Sequence, residues 1–239
     1  MEHASILTPN NLSLFDGDSD PVAFRAYREI KYRVFVEELG WADLADARNP
    51  GLIKVDAYDP ISSFALLTTA SGEPFAIVRA TALNRGFPYR ELFERHLAQP
   101  AFADHLDRLC SINALAVLPD YRRRVFRESA HGWQGSAGQL LLLGILGHMA
   151  WAGLAGAILT TGYPAASRLC RRVGFEIIDP PVASAQTREP LQNMALLFDA
   201  PAYLACQRAC GVAGEPPLPD PSRDALARYF GQCRAPAAS

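Results

Sequence analysis

The stretch LCSINALAVLPDYRRRVFRESAHGWQGSAGQLLLLGIL, residues 109–146, joins an apolar run, an arginine-rich polar segment and a second apolar run. This pattern predicts a buried strand over 109–118, a loop, and a helix over 136–154. A glycine-containing turn before a helix exposes backbone N–H groups at the positive end of the helix dipole, which suits a phosphate. We therefore predict a pyrophosphate site in the loop, formed by Arg122, Arg123, Arg124, Gly135 and Gly138. The Walker sequence and GxGxxG are both absent, so a solvated loop capped by Ser136 is an equally good interpretation.

The segments on either side predict an α/β (α+β) fold. The remaining predicted elements are a helix from Asp20-Pro21 to 39–40, strands over 64–69 and 75–83, a short helix over 91–96, a strand over 157–161, a helix over 164–173 ended by Gly174, strands over 175–178 and 194–198, and a helix from Pro201. In this order they predict a single mixed, mostly antiparallel sheet flanked by helices on both faces. We expect an N-terminal segment over 1–19, the domain over 20–200, and a C-terminal helix with a Pro/Ala-rich tail over 201–239.

Composition and charge exclude several classes of protein. The 239 residues are 49% hydrophobic, enough for a sizeable core, and the net charge of −2 argues against attraction to nucleic acid. The N-terminus lacks the basic and apolar regions of a signal peptide, and glycines interrupt the apolar run 140–154, which is too short for a membrane span. The five cysteines form no metal-ligand pattern and are predicted to be unpaired thiols: Cys110, Cys170, Cys206, Cys210 and Cys233. We expect a cytoplasmic protein without a metal site.

Two acids and one arginine are the strongest candidates for chemistry. Asp56 and Asp59 lie three residues apart in KVDAYD, so a turn can point both carboxylates at one site. Paired carboxylates can hold an ammonium group or take a proton from an amine, although acids in a surface turn would give the same pattern. Arg79 lies inside the apolar strand FAIVRATAL, where an arginine requires an acid partner. That partner is expected to be Asp56, Asp59 or a substrate carboxylate.

Four stretches resemble motifs of one enzyme family. KYRVFVEELGW (31–41) resembles RxxVFxxxLGW, VDAYD (55–59) resembles ExDxxD, VRATAL (78–83) resembles a strand arginine followed by LPT, and RLCRRVGFEIIDPP (168–181) resembles RxLRRAGWP. The order of elements resembles the GNAT N-acetyltransferase fold, an αβα sandwich. Within that fold the chain resembles the acyl-homoserine-lactone synthases, the LuxI-type autoinducer synthases of quorum sensing, over about residues 20–200.

The resemblance implies an N-acyltransferase that moves an acyl group from a thioester to a small-molecule amine. The donor would be acyl-CoA or the acyl carrier protein (acyl-ACP), bound at the arginine-rich loop, with no permanently bound cofactor. Asp56 or Asp59 would help to deprotonate the amine, and a backbone N–H near Ala116 and Val117 would stabilise the oxyanion. Lys31 and Arg33 would anchor the acceptor-side loop to the two aspartates. The implied acceptor-site residues are Lys31, Arg33, Phe35, Trp41, Lys54, Ser111 and Asn113.

The chain departs from the family pattern at four positions. The first arginine of the family falls on Lys31, and the glutamate before the aspartates falls on Lys54. The family's strand motif ExSRFxV falls on residues 111–117, so its glutamate becomes Ser111 and its arginine becomes Ala114. These differences favour an acceptor other than S-adenosylmethionine, such as an amino acid whose carboxylate would suit Lys54. A true acyl-homoserine-lactone synthase that uses S-adenosylmethionine and a non-catalytic binding protein are the alternatives.

Three further assignments have two interpretations each. Phe35 and Trp41 form either a lid over the acceptor or part of the core. The apolar helix after residue 140 lines an acyl tunnel or, as is more common, fills the core. Cys170 stands where many enzymes of this fold have a tyrosine that protonates the departing thiolate, and a nucleophilic role for this cysteine is the less favoured alternative.

Overall fold

The computed structural model describes residues 12–17, 19–128, 133–183, 190–209 and 221–233. The strands are β1 (Leu12–Asp16), β2 (Ser62–Thr68), β3 (Pro74–Ala82), β4 (Leu109–Val117), β5 (Phe126–Glu128), β6 (Trp133–Gly135), β7 (Gly156–Thr161), β8 (Glu176–Ile177) and β9 (Gln192–Leu197). The helices are α1 (Pro21–Lys31), α2 (Glu94–Leu97), α3 (Pro100–Ala103), α4 (Ala137–Trp151), α5 (Pro164–Val173), α6 (Pro201–Ala209) and α7 (Pro221–Cys233). A π-helix, Tyr32–Glu38, follows α1 directly.

Seven strands form one open mixed sheet in the order β1-β2-β3-β4-β7-β9-β8. β1 pairs antiparallel with β2, β4 pairs parallel with β7, and β9 pairs antiparallel with both β7 and β8. β5 and β6 form a separate two-stranded hairpin. The prediction of a single mixed sheet in an α/β chain is therefore confirmed.

The chain divides into two compact units. Among the described residues, the first unit contains those up to Ala80, Ala114–Ile145 and Ala209, and the second contains Thr81–Asn113, Leu146–Arg208 and 221–233. An aromatic cluster forms the core of the first unit: the ring of Phe64 lies 5.1 Å from that of Phe15 and 4.6 Å from that of Tyr27. This cluster fixes α1 against β1 and β2.

A separate apolar cluster forms the core of the second unit. Its aromatic members include Phe87, Phe93 and Phe102, and α7 contributes Leu226 and Phe230. α7 lies within 201–239, for which one helix followed by a Pro/Ala-rich tail was predicted, so the second helix in this segment was not predicted. The side chains that α7 contributes to this core hold the helix in position.

Three other elements differ from the predictions. β1 lies in the predicted N-terminal segment, and the hairpin β5-β6 lies in the predicted loop. The predicted single helix from Asp20 to 39–40 is α-helical only to Lys31 and then continues as the π-helix. Cys210 lies outside the described residues, whereas Cys110, Cys170, Cys206 and Cys233 are free thiols as predicted. No helix in the described ranges is long and apolar enough to cross a membrane.

Candidate functional site

α1 begins with a local cap and carries two site residues on one face. The Asp20 side chain accepts hydrogen bonds from the backbone N–H groups of Val22 at 3.1 Å and Ala23 at 2.9 Å, and Pro21 occupies the first turn. Tyr27 and Lys31 are four residues apart, so they lie on the same side of the helix, and both are buried. The capped helix thus presents a hydroxyl and an ammonium group to the interior of the first unit.

Arg28 connects α1 to the segment that carries the acids. Its Nε donates to the carbonyl oxygen of Ile53 at 2.8 Å, and its Nη2 donates to Asp46 Oδ2 at 2.7 Å. Both side chains of the Arg28–Asp46 ion pair are largely buried. Because Ile53 lies three residues before Asp56, this anchor positions the acidic turn relative to Lys31.

The two aspartates hold each other in place through their backbones. Asp56 Oδ1 accepts hydrogen bonds from the N–H groups of Tyr58 at 2.9 Å and Asp59 at 3.0 Å, and Asp59 Oδ2 accepts from the N–H of Asp56 at 3.0 Å. Aspartate side chains commonly form such turns with the residues that follow them. The reciprocal bonds point both carboxylates at the same site, as the three-residue spacing predicted.

Arg79 on β3 binds both carboxylates. Its Nη1 lies 2.7 and 2.6 Å from the two carboxylate oxygens of Asp56 and 2.5 Å from Asp59 Oδ1. The side chains of Arg79 and Asp59 are 4% and 0% exposed, whereas that of Asp56 is 39% exposed. The prediction that a strand arginine needs an acid partner is confirmed, and Asp56 is the member of the cluster that a ligand can reach.

Lys31 and Tyr27 complete this cluster. Lys31 Nζ donates to the hydroxyl of Tyr27 at 2.9 Å and lies 3.9 Å from Asp56 Oδ2. The Tyr27 hydroxyl in turn donates to Asp59 Oδ1 at 3.1 Å. We name these five residues, Tyr27, Lys31, Asp56, Asp59 and Arg79, the acid–base cluster.

Burial and charge shift the pKa values within the acid–base cluster. Burial together with the nearby Arg79 charge lowers the pKa of Lys31 to about 8. Burial raises the pKa of Tyr27, so its hydroxyl keeps its proton. Burial alone would raise the pKa of Asp56, but the charge and hydrogen bonds of Arg79, with a contribution from Lys31, hold that pKa below its usual value. At neutral pH Asp56 is therefore anionic and Arg79 is cationic.

The predicted aromatic pair lies on the segment that follows Lys31. The rings of Phe35 and Trp41 stack at 5.2 Å with an interplanar angle of 15°. The N–H of Trp41 donates to the carbonyl oxygen of Phe35 at 2.9 Å, and both side chains are half-buried. The pair thus keeps part of its surface accessible, which a lid over an acceptor requires.

The two other predicted cations on this side of the first unit are exposed. Lys54 Nζ donates to the carbonyl oxygen of Asp43 at 2.6 Å. Arg33 is exposed on the π-helix. The structure therefore brings Lys31 to the aspartates and places Lys54 and Arg33 at the surface.

β4 supplies the predicted oxyanion residues and contains an irregularity. Its parallel pairing with β7 covers Leu109–Ser111, and Ala114 has a φ of +54°, which side chains other than glycine rarely adopt. Ala116 and Val117 follow in the first unit. Ala116 is buried and Val117 is half-buried. A non-glycine residue at positive φ costs free energy and often marks a functional site.

Ser111 and Asn113 belong to the second unit. Ser111 is buried, and the half-buried Asn113 donates from Nδ2 to the Ser111 carbonyl oxygen at 3.4 Å. Their predicted role in the acceptor site stays a prediction.

Two arginines of the predicted pyrophosphate loop, Arg122 and Arg124, already have partners. Arg122 forms two hydrogen bonds of 2.5 Å with the carboxylate of Glu38 and donates from Nε to the Val117 carbonyl oxygen at 2.7 Å. The guanidinium of Arg124 lies 4.7 Å from the centre of the Tyr121 ring, and Arg123 is exposed. A phosphate that binds Arg122 must compete with Glu38.

The start of α4 has the predicted cap. Ser136 Oγ accepts from the N–H of Gln139 at 3.3 Å, and Gln139 Oε1 accepts from the N–H of Ser136 at 3.0 Å. This reciprocal pair is a capping box. Gly135 ends β6 and Gly138 lies in the first turn of α4. The predicted cap by Ser136 is thus present, while phosphate binding at this turn stays a prediction.

Several solved structures share the architecture, although their sequences are distant. The CoA-dependent acyl-homoserine lactone synthase BjaI, solved with MTA, is 15% identical with a TM-score of 0.62, and the match covers 93% of this chain and 99% of BjaI. FeeM, an N-acyl amino acid synthase from uncultured soil microbes, is 12% identical with a TM-score of 0.54, covering 81% and 92%. A Lactobacillus plantarum protein assigned as an N-acetyltransferase is 19% identical with a TM-score of 0.50, covering 79% and 99%. The chain has a GNAT-type fold.

The predicted resemblance in fold to the acyl-homoserine-lactone synthases is therefore confirmed. No protein-family model and no curated protein matches the sequence. At the identities of these structural matches, the property shared with this chain is the GNAT-type fold.

The second unit contains a buried polar network that the sequence analysis missed. His96 lies between two partners, with Nδ1 2.6 Å from the Tyr229 hydroxyl and Nε2 2.8 Å from Asp179 Oδ2. Asn193 Nδ2 donates to the same Asp179 oxygen at 2.6 Å, and Arg95 forms an ion pair with the other oxygen. Burial and the Arg95 charge lower the pKa of His96 to about 4, so the imidazole is neutral at pH 7.

Cys170 on α5 is buried, with 2% of its surface exposed. Burial raises the pKa of its thiol to about 12. A nucleophilic cysteine requires the thiolate at working pH. The environment of Cys170 therefore disfavours the nucleophile interpretation and favours a packing role within the GNAT-type fold.

Proposed function

We propose that this chain is an N-acyltransferase that moves an acyl group from a thioester to a small-molecule amine. The observation that carries the proposal is the acid–base cluster, in which the buried Arg79 and Asp59 hold Asp56 at an accessible position. An accessible carboxylate that is fixed in this way can bind the ammonium group of an acceptor. The fold that the chain shares with acyl-homoserine lactone and N-acyl amino acid synthases supports this choice of reaction.

The reaction follows the chemistry of aminolysis. Asp56 holds the acceptor's ammonium group, which must lose one proton before its nitrogen can attack the thioester carbonyl. The attack places a negative charge on the carbonyl oxygen, and a backbone N–H of Ala116 or Val117 stabilises it. The tetrahedral intermediate then collapses, the C–S bond breaks, and the thiolate leaves with the electron pair. The nitrogen loses its second proton as it becomes an amide, and the departing thiolate takes up that proton to leave as the thiol. The amide product retains the acyl group.

We propose an acceptor that also carries a carboxylate, such as an amino acid. Lys54 is exposed within the segment that leads into the acidic turn and stands where the resemblance has a glutamate. Ser111 and Ala114 replace a glutamate and an arginine of that pattern. These replacements change the charges expected around S-adenosylmethionine and suit a smaller anionic acceptor. FeeM, an N-acyl amino acid synthase with the same fold, supports this class.

For the donor we propose acyl-CoA, with acyl-ACP as the alternative. Arg122, Arg123 and Arg124 lie together after β4, so they suit either the phosphates of coenzyme A or the acidic surface of a carrier protein. BjaI, which is CoA-dependent, supports the first choice. The Glu38–Arg122 ion pair would open when the donor binds.

The test is an acyl-transfer assay with purified protein. Acyl-CoA thioesters of several chain lengths are mixed with single amino acids or with S-adenosylmethionine, and thiol release and the product mass are measured. We expect an N-acyl amino acid from the wild type and a loss of at least about 100-fold in rate for Asp56→Asn. Arg25→Gln, an exposed change on α1, is the matched control and should keep the wild-type rate.

A second candidate function is acyl-homoserine-lactone synthesis from S-adenosylmethionine. The retention of Phe35, Trp41, Asp56, Asp59 and Arg79 at positions of the resembling motifs favours it. A homoserine lactone as the sole product would establish this candidate and reject the amino acid acceptor. Binding of coenzyme A without thiol release from any donor, including acyl-ACP, would reject both and indicate a binding protein.

A further inference from the structure

Lys31 combines burial, a fixed position and closeness to the exposed carboxylate. It is one of only two lysines in the chain, and 6% of its surface is exposed. Its Nζ lies 2.9 Å from the Tyr27 hydroxyl, 3.9 Å from Asp56 Oδ2 and 4.9 Å from the centre of the Tyr27 ring. A surface lysine used for solubility would have none of these contacts.

The direction of the hydrogen bonds leaves the lone pair of a neutral Lys31 amine available. The Tyr27 hydroxyl gives its hydrogen to Asp59 Oδ1, so it accepts the hydrogen that Lys31 Nζ donates. A neutral amine has two hydrogens and one lone pair, and the bond to Tyr27 uses only a hydrogen. The lone pair therefore remains free for a proton that arrives at Asp56.

We propose that the neutral Lys31 amine is the general base that removes the proton from the acceptor's ammonium group while Asp56 holds that group. This inference rests on the proposed acyl transfer and assigns a catalytic residue within it. One N–H bond of the acceptor ammonium breaks and an N–H bond forms at Lys31 Nζ, which becomes cationic. The electron pair left on the acceptor nitrogen then forms the new bond to the thioester carbonyl carbon.

Asp56 is a poor base for this step because Arg79 binds its carboxylate. Arg79 and Lys31 hold the pKa of Asp56 below its usual value. An acceptor ammonium has a pKa of roughly 8 to 10, so fewer than about one in ten thousand would transfer a proton to such a carboxylate at equilibrium. A lysine whose pKa is about 8 matches the ammonium group far better.

Several charged groups around Lys31 contribute to this match. Among the described residues, the titratable and charged groups that face it are Tyr27 and Arg28 on α1, Asp56 and Asp59 in the acidic turn, and Arg79 on β3. Burial and the two arginines favour the neutral amine, while the two aspartates favour the ammonium form. The opposing effects leave a pKa close to physiological pH, as catalytic lysines require.

The first test measures the protonation of Lys31 directly and needs no substrate. The protein is produced with lysine labelled with ¹³C at Cε, and the two side-chain signals are followed by NMR from pH 6 to 11. The variant Lys54→Arg assigns the signals by removing one of them. We expect a midpoint near 8 for Lys31. A midpoint above 10 would overturn the proposal, whatever the activity assay gives.

The second test separates catalysis from charge and packing. Arginine at position 31 keeps the positive charge but cannot give up its proton at these pH values. We expect Lys31→Arg to lower kcat by about 100- to 10,000-fold, with an unchanged KM for the thioester, and to remove the rise in kcat near pH 8. Arg25→Gln is the control on the same helix and should keep both the rate and the pH profile.

The outcomes distinguish a failure of the proposed role of Lys31 from a failure of the proposed acyl transfer. If Lys31→Arg turns over at the wild-type rate, Lys31 has only a structural role and the inference fails, while the proposed acyl transfer stands. If the wild type transfers no acyl group to any amine, the proposed function fails, and the base role fails with it. A titration near pH 8 together with a slow Lys31→Arg variant supports both.

Discussion

Replacement of Arg79 by methionine tests how strongly the acid–base cluster depends on its central cation. The side chain of Asp59 is 0% exposed, and without Arg79 its donors among the described residues are the Tyr27 hydroxyl and the Asp56 N–H. Removal of one partner of a buried ion pair costs about 3–5 kcal/mol because the other charge stays buried. Since each kcal/mol lowers the melting temperature of a domain of this size by about 2–4 °C, we expect Tm to fall by about 6–20 °C.

The assay is urea and thermal unfolding of Arg79→Met beside the double variant Arg79→Met/Asp59→Asn. Because the asparagine removes the unpaired charge, the double variant should recover at least about half of the lost stability. Arg25→Met, with a side chain that is 71% exposed, should change stability by less than about 0.5 kcal/mol. If the double variant is as unstable as Arg79→Met, the buried charge is not the cause, and the explanation is refuted.

Four further predictions concern the second unit. The folded pKa of His96 is about 4 and its unfolded value is about 6.5, so the unfolded state binds the proton first and stability should fall as pH drops from 6.5 to 4. This difference in pKa corresponds to a loss of about 3 kcal/mol in the free energy of unfolding, which we reduce to about 2 kcal/mol because the neighbouring Arg95 is half-exposed. A pH series of urea titrations in which stability stays constant would contradict this prediction. Tyr229→Phe leaves the buried Nδ1 of His96 without its hydroxyl partner and should cost about 1–3 kcal/mol in the same assay, and an unchanged midpoint would count against the network. Gly174 has a φ of +113°, so Gly174→Ala should cost about 1–3 kcal/mol by thermal unfolding, which a wild-type Tm would exclude. Cys170 should react with iodoacetamide at pH 8 only after unfolding, and modification of the folded protein at this thiol, detected by peptide mass spectrometry, would contradict its burial.

Local sequence signals were sufficient for most of the helices and strands. Asp20 followed by Pro21 marks the start of α1, and Gly174 marks the end of α5, because a cap and a positive-φ position act within a few residues. β1 lacks such a signal, whereas α7 begins directly after the pair Asp220-Pro221, the same kind of signal as at α1, which went unused among the predictions. Only Phe15 of β1 is buried, and the strand exists through its pairing with β2, which lies far away in sequence. Tertiary packing of this kind outweighs local propensity.

The candidate site was predictable where one residue imposes a requirement on another. The buried Arg79 demanded an acid, and Asp56, Asp59 and a substrate carboxylate were the candidates. Both aspartates bind it. The burial of Lys31 could not be derived, because helical spacing alone does not say which face of α1 meets the sheet. The network of His96 was also inaccessible, since its partners lie 83 and 133 residues away along the chain.

The π-helix between Lys31 and Trp41 makes the aromatic pair sensitive to the number of residues that precede it. In a π-helix each hydrogen bond encloses one residue more than in an α-helix, so Tyr32–Glu38 accommodates a residue that an α-helical path would exclude. Loss of a single residue there would rotate Phe35 and Trp41 about the helix axis while the buried end at Lys31 stayed fixed. Related chains would therefore reorient this aromatic pair by deletions and insertions more than by substitutions.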